Sequence, residues 1–80
     1  MGKDTLDTTL VRIDPAQNMA RYYSMTIQQN LFGEASLMRN WGRIGSGGQM
    51  RIDLFHDEKE ARAAHDLLLT TKMKRGYARL

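Results

Sequence analysis

One segment constrains this chain more than any other: residues 57–76 carry a start, a stripe and a stop for a single helix. Asp57 is placed to act as an N-cap, and Glu60 three residues later completes a variant of the capping box. Glu58 and Glu60 stand at the positive end of the helix dipole, and Lys72, Lys74 and Arg75 at the negative end. Gly76 supplies the residue that ends a helix in a left-handed backbone conformation. Between these ends, Ala61, Ala64, His65, Leu68, Leu69 and Lys72 fall on one side at helical spacing. A helix of this length is marginal alone in water, so the stripe must be buried against something. The supply of partners is small. Eighty residues make one domain, which buries only about 60% of its unfolded surface. With no cysteine, neither a disulfide nor thiolate-held zinc can reinforce it.

The partner for the stripe is read from alternation. Residues 1–8 are polar and expected to fray, leaving residues 9–80 as the domain. Residues 9–14 alternate, with Val11 and Ile13 against Leu10 and Arg12, and Asp14-Pro15 ends that strand. Residues 16–20 make a turn or a single helical turn. Residues 21–29 form a better strand, with Tyr23, Met25 and Ile27 on one face and Tyr22, Ser24, Thr26 and Gln28 on the other. A connection over 30–34 leads to a strand over 36–44. A glycine turn at 46–48 then returns the chain as a strand over 49–55, with Met50, Ile52 and Leu54 sharing a face. The expected fold is α+β: a four-stranded, mainly antiparallel sheet with one C-terminal helix packed on one face. The last residues are expected to return along the sheet or the helix.

Net charge is only +3, but it is unevenly spread. Residues 35–52 hold Arg39, Arg43 and Arg51 and no acid; from residue 67 onward come Lys72, Lys74, Arg75 and Arg79, again without an acid. Such patches suit an anionic partner, nucleic acid first. The sole tryptophan lies between two of these arginines, in Asn40-Trp41-Gly42-Arg43-Ile44-Gly45-Ser46-Gly47-Gly48-Gln49. On a strand, residues two apart share a face, so Arg39, Trp41 and Arg43 form one row. A stacking surface between two guanidinium forks, followed by a tight loop, fits a polyanion that carries stackable groups. Face geometry adds Arg21, and the helix end adds Lys72, Lys74 and Arg75. The plainer alternative has Trp41 filling the core and the arginines solvated.

No catalytic constellation is present. His56 and His65 lie on separate elements without ligand spacing, and Glu58 and Glu60 diverge around a helix. Residues 45–48 lack the Lys-Ser/Thr and the following helix of a phosphate-binding loop. We expect no enzymatic activity, no cofactor and no metal. With no apolar run near the roughly 18 residues of a membrane span and no signal-like start, no membrane association and a cytoplasmic location are expected.

Trp41-Gly42-Arg43-Ile44-Gly45, followed by Gly48-Gln49, resembles the signature of the WGR domain family. Asn18-Met19-Ala20-Arg21-Tyr22-Tyr23 is similar to the start of that family's second strand, and Ala61, Leu68, Leu69, Lys72 and Gly76-Tyr77 to its helix and exit. The likeness covers residues 10–77. Ala35 departs from it where members often carry tryptophan, and His65 where they carry a large apolar residue. The family is a module of the DNA-damage-responsive poly(ADP-ribose) polymerases and of small bacterial proteins. In the polymerases it contacts DNA near a strand end. The resemblance therefore implies a non-catalytic nucleic-acid-binding module that contacts DNA ends or breaks; the residues themselves leave DNA and RNA open as partners. It gives Trp41, next to Gly42, a packing role against sugar or base, and Arg43 a phosphate or protein contact. The alternative is a protein–protein interaction adaptor that uses the same Trp/Arg face, since both residue types are favoured at interface hot spots.

Overall fold

Four segments that alternate large apolar with polar residues become strands, and the segment with helical spacing lies across them. The computed structural model describes residues 5–80. In chain order the elements are β1 (Thr5–Asp14), β2 (Met19–Gln29), β3 (Ala35–Arg43), β4 (Gln49–Phe55), α1 (Glu58–Lys74) and β5 (Ala78–Arg79), with one 3-10 turn at Pro15–Gln17. The strands make a single sheet in the order β4-β3-β2-β1-β5, antiparallel throughout. The α+β fold with its C-terminal helix is as expected. The fifth strand is additional: two residues are too few to show any periodicity, and they pair with Leu10 and Val11 of β1.

The core lies between α1 and one sheet face. Leu10, Tyr23, Met25, Ile27 and Leu37 fill it from the sheet and Ala61 from the helix, and Leu68 and Leu69 pack against its margin. The helix begins as expected. Asp57 accepts from the Glu60 amide at 3.0 Å, and the Glu60 carboxylate accepts from the His56 amide at 3.2 Å. It also ends as expected. Gly76 has a φ of +98°, and the amides of Gly76 and Tyr77 donate to Met73 and Lys72 carbonyls, both at 3.1 Å.

β1 starts at Thr5 rather than at residue 9, because Leu6 and Thr8 continue the inward alternation of Leu10. Leu6 packs on the core, and Thr8 is buried with its hydroxyl 2.9 Å from Nε2 of His65. The fraying expected of residues 1–8 therefore does not extend to 5–8, and for residues 1–4 it lies outside the described residues. His65 is fully buried as well, and its other ring nitrogen meets the Asp66 carboxylate at 2.9 Å. A carboxylate only accepts, so Nδ1 carries a proton; in the neutral ring Nε2 then accepts from the Thr8 hydroxyl.

Candidate nucleic-acid interface

The hairpin between β3 and β4 is set by backbone contact. A Cβ on Gly42 would lie 2.7 Å from the Gly48 Cα, so only glycine lets the two strands approach this closely. Gly48 itself has a φ of +68°, and a Cβ there would meet the Tyr22 hydroxyl and the Trp41 carbonyl oxygen. The Tyr22 hydroxyl donates to Asn40 Oδ1 at 2.7 Å, with a longer approach of 3.3 Å to the Gly47 carbonyl. These contacts fix the loop and, through it, the register that aligns Tyr23, Trp41 and Gln49 across three strands.

Trp41 is neither wholly in the core nor wholly exposed. It is half-buried against the core margin and stacks on Tyr23, with ring centroids 6.0 Å apart and planes at 28°. The same residue lines a cleft of about 430 Å³ with Arg21, Tyr22, Tyr23, Gly42, Arg43, Lys72 and Tyr77. No carboxylate lines that cleft. Arg21, Arg43 and Lys72 form no ion pair among the described residues. Arg43 is exposed and donates to the Asn18 carbonyl at 3.2 Å, with a longer approach of 3.5 Å to Asn18 Oδ1. Asn18 can accept it because it ends the 3-10 turn in the left-handed region, at a φ of +52°.

The other sequence-selected cations divide. Arg39 and Arg75 line an adjoining cleft of about 280 Å³ that shares Tyr23, Trp41 and Lys72 with the first. Arg39 has both terminal nitrogens engaged, while its buried Nε has no hydrogen-bond partner among the described residues. It donates to the Tyr23 hydroxyl at 3.3 Å and to Asp53 at 3.2 Å, and its Cζ lies 5.9 Å from the Trp41 ring centroid. The Tyr23 hydrogen bond, followed by Asp53, holds its pKa above the ordinary arginine value against the effect of burial. Its contacts suit it to hold Tyr23 and Trp41 in place. Lys74 is exposed and lines neither cleft.

Lys72 lies against two aromatic rings. Its Nζ lies 4.5 Å from the Tyr23 ring centroid and 5.4 Å from that of Tyr77. Burial, then the positive charges of Arg75, Arg39 and Arg21, push its pKa below the usual lysine value. An incoming phosphate would relieve that repulsion. Tyr23, Tyr77 and Arg12 were not singled out from the sequence as site residues. Arg12 stands opposite Arg21, which stands opposite Arg43, so three strands bring three guanidinium groups into one line. That line is a property of register, which single-strand alternation does not reveal.

Among the described residues, no group of three His, Cys, Asp or Glu side chains is arranged to hold a metal ion, and no helix is long and apolar enough to cross a membrane. A family model described as WGR domain matches residues 6–80. The "uncharacterized protein y4dW" of Sinorhizobium fredii is 53% identical over 66 residues, which are 82% of this chain and 32% of that protein. The chain thus spans about a third of that relative's length. No solved structure matches it.

Proposed function

The chain belongs to the WGR domain family, and on that premise we propose that it is a non-catalytic nucleic-acid-binding module that engages DNA, ends or breaks first, through the cleft around Trp41 and Arg43. One observation carries this reading: the cleft combines a half-buried tryptophan and three cations without a lining carboxylate. The family's service as a nucleic-acid-binding module in poly(ADP-ribose) polymerases supports it. The cations suit phosphates, and Trp41 offers a surface for a sugar or base. Base-specific readout needs an element that enters a groove, and a sheet face with a helix end is not shaped for that. Binding is therefore expected to be largely independent of sequence.

The test is a titration of labelled duplexes with blunt, nicked and 5′-phosphorylated ends, each at two salt concentrations. Affinity that falls steeply with salt and favours ends or nicks supports the proposal; RNA in the same titration ranks the two nucleic acids. Absence of binding to DNA and RNA at low salt overturns it. The adaptor reading then takes over, with Trp41 and Arg43 as the anchors for a protein partner.

A further inference from the structure

β4 is one edge of the sheet, with no strand beyond it among the described residues, and the two-residue β5 is the other. Edge strands are commonly protected by proline, lysine, inward-pointing charges or a bulge. β4 contains no proline or lysine and pairs unbroken with β3 from Gln49 to Phe55. Its two inward charges, Arg51 and Asp53, are of opposite sign and so do not by themselves repel a second copy. Met50, Ile52 and Leu54 project on the sheet face opposite the core, each more than half exposed. Arg51 and Asp53 alternate with them on the helix side.

This sequence is complementary to itself. Two antiparallel copies related by a two-fold axis place residues opposite one another on the same face, in a register set by the central residue. A centre at Arg51 sets arginine against arginine, and a centre at Asp53 sets aspartate against aspartate. Only a centre at Ile52 uses all seven residues of the strand. It puts Arg51 of each copy opposite Asp53 of the other, Met50 opposite Leu54, and Ile52 against its own counterpart. Arg51 already meets its own Asp53 through Nε at 3.1 Å, and its two terminal nitrogens have no hydrogen-bond partner among the described residues. They are free to reach the second copy's carboxylate.

We propose that β4 is a homodimerisation edge, where two copies of this chain pair antiparallel about Ile52 into one continuous ten-stranded sheet. The axis stands perpendicular to the sheet, so both helices and both Trp41 clefts lie on the same side. The pairing does not rest on the nucleic-acid reading. A seven-residue edge contact is small beside standard interfaces, so the dimer is weak and concentration-dependent.

The absence of cysteine gives a direct test of the register. Residues directly opposite across the axis have Cβ atoms about 4.5–5.5 Å apart, close to disulfide reach. Ile52→Cys should therefore form a covalent dimer under mild oxidation. Met50→Cys alone should not, because the two copies of residue 50 lie about 13 Å apart along the strands. A mixture of Met50→Cys and Leu54→Cys should form the mixed dimer. In sedimentation velocity on the full chain, Arg51→Glu should raise the dimer Kd at least about tenfold, with an unchanged melt at low concentration as the control for folding. A wild-type chain that stays monomeric up to about 1 mM overturns the proposal. So does Met50→Cys cross-linking as readily as Ile52→Cys.

Discussion

Trp41 and Arg43 would meet a nucleotide in different ways, and two substitutions separate them. Arg43→Ala should remove a charge-assisted contact of about 1.5–3 kcal/mol. It should also flatten the dependence of log affinity on log salt by about one unit. Trp41→Ala should cost about 1–3 kcal/mol of binding with the salt slope unchanged. Because Trp41 also packs on Tyr23, the melt of the second variant must be followed alongside its binding. Lys72 gives a signature of another kind. Its pKa lies below the ordinary 10.5 in the folded chain. Between the folded and unfolded values the unfolded chain binds more protons, so stability should rise as pH climbs through that window towards 10.5. Lys72→Met should abolish that part of the rise while weakening DNA binding, as paired pH-dependent melts and titrations would show. The Arg39–Trp41–Arg43 row was legible in the sequence because it depends only on the two-residue repeat of one strand. Arg12 was not, since its place beside Arg21 and Arg43 depends on the lengths of two turns. The engaged terminal nitrogens of Arg39 were hidden for the same reason, because Asp53 comes from the neighbouring strand.

The elements hold together through a few close contacts that invite substitution. Thr8 and His65 join β1 to α1 across the core, both buried. Thr8→Val should leave the His65 Nε2 lone pair without a partner and cost about 1–3 kcal/mol in chemical denaturation. Replacing both residues, Thr8→Val with His65→Leu, should recover most of that loss, because two apolar groups need no hydrogen bond. The β3–β4 hairpin should be as intolerant at Gly42. Gly42→Ala forces a Cβ into the Gly48 backbone and should destabilise by about 1–3 kcal/mol, read as a lower denaturation midpoint. The glycine of the tripeptide is thus a packing requirement as well as a neighbour of the proposed binding residues. Helix limits, caps and buried stripe were legible because capping chemistry is local. The start of β1 was obscured by Thr8, a polar residue at an inward position, and only its distant partner His65 explains it.

At the scale of the whole molecule the chain is an elongated body of 47 × 24 × 22 Å with a thin core. Leu10, Met25, Ile27 and Leu37 are its largest fully buried side chains. β1 to β4 pair each with the next in sequence; α1 then crosses the sheet so that β5 joins β1, the first strand. That closing pair has a consequence in time. Hairpin contacts close short loops, whereas the joining of β5 to β1 must bring together nearly the whole chain, so its entropic cost favours late formation. Leu37→Ala, in the middle of the meander, should slow folding. Removing residues 78–80 should leave the folding rate nearly unchanged and speed unfolding, as the two arms of a chevron plot would record. The last strand to be made would then act as a catch, setting how long the native state persists rather than how fast it is reached.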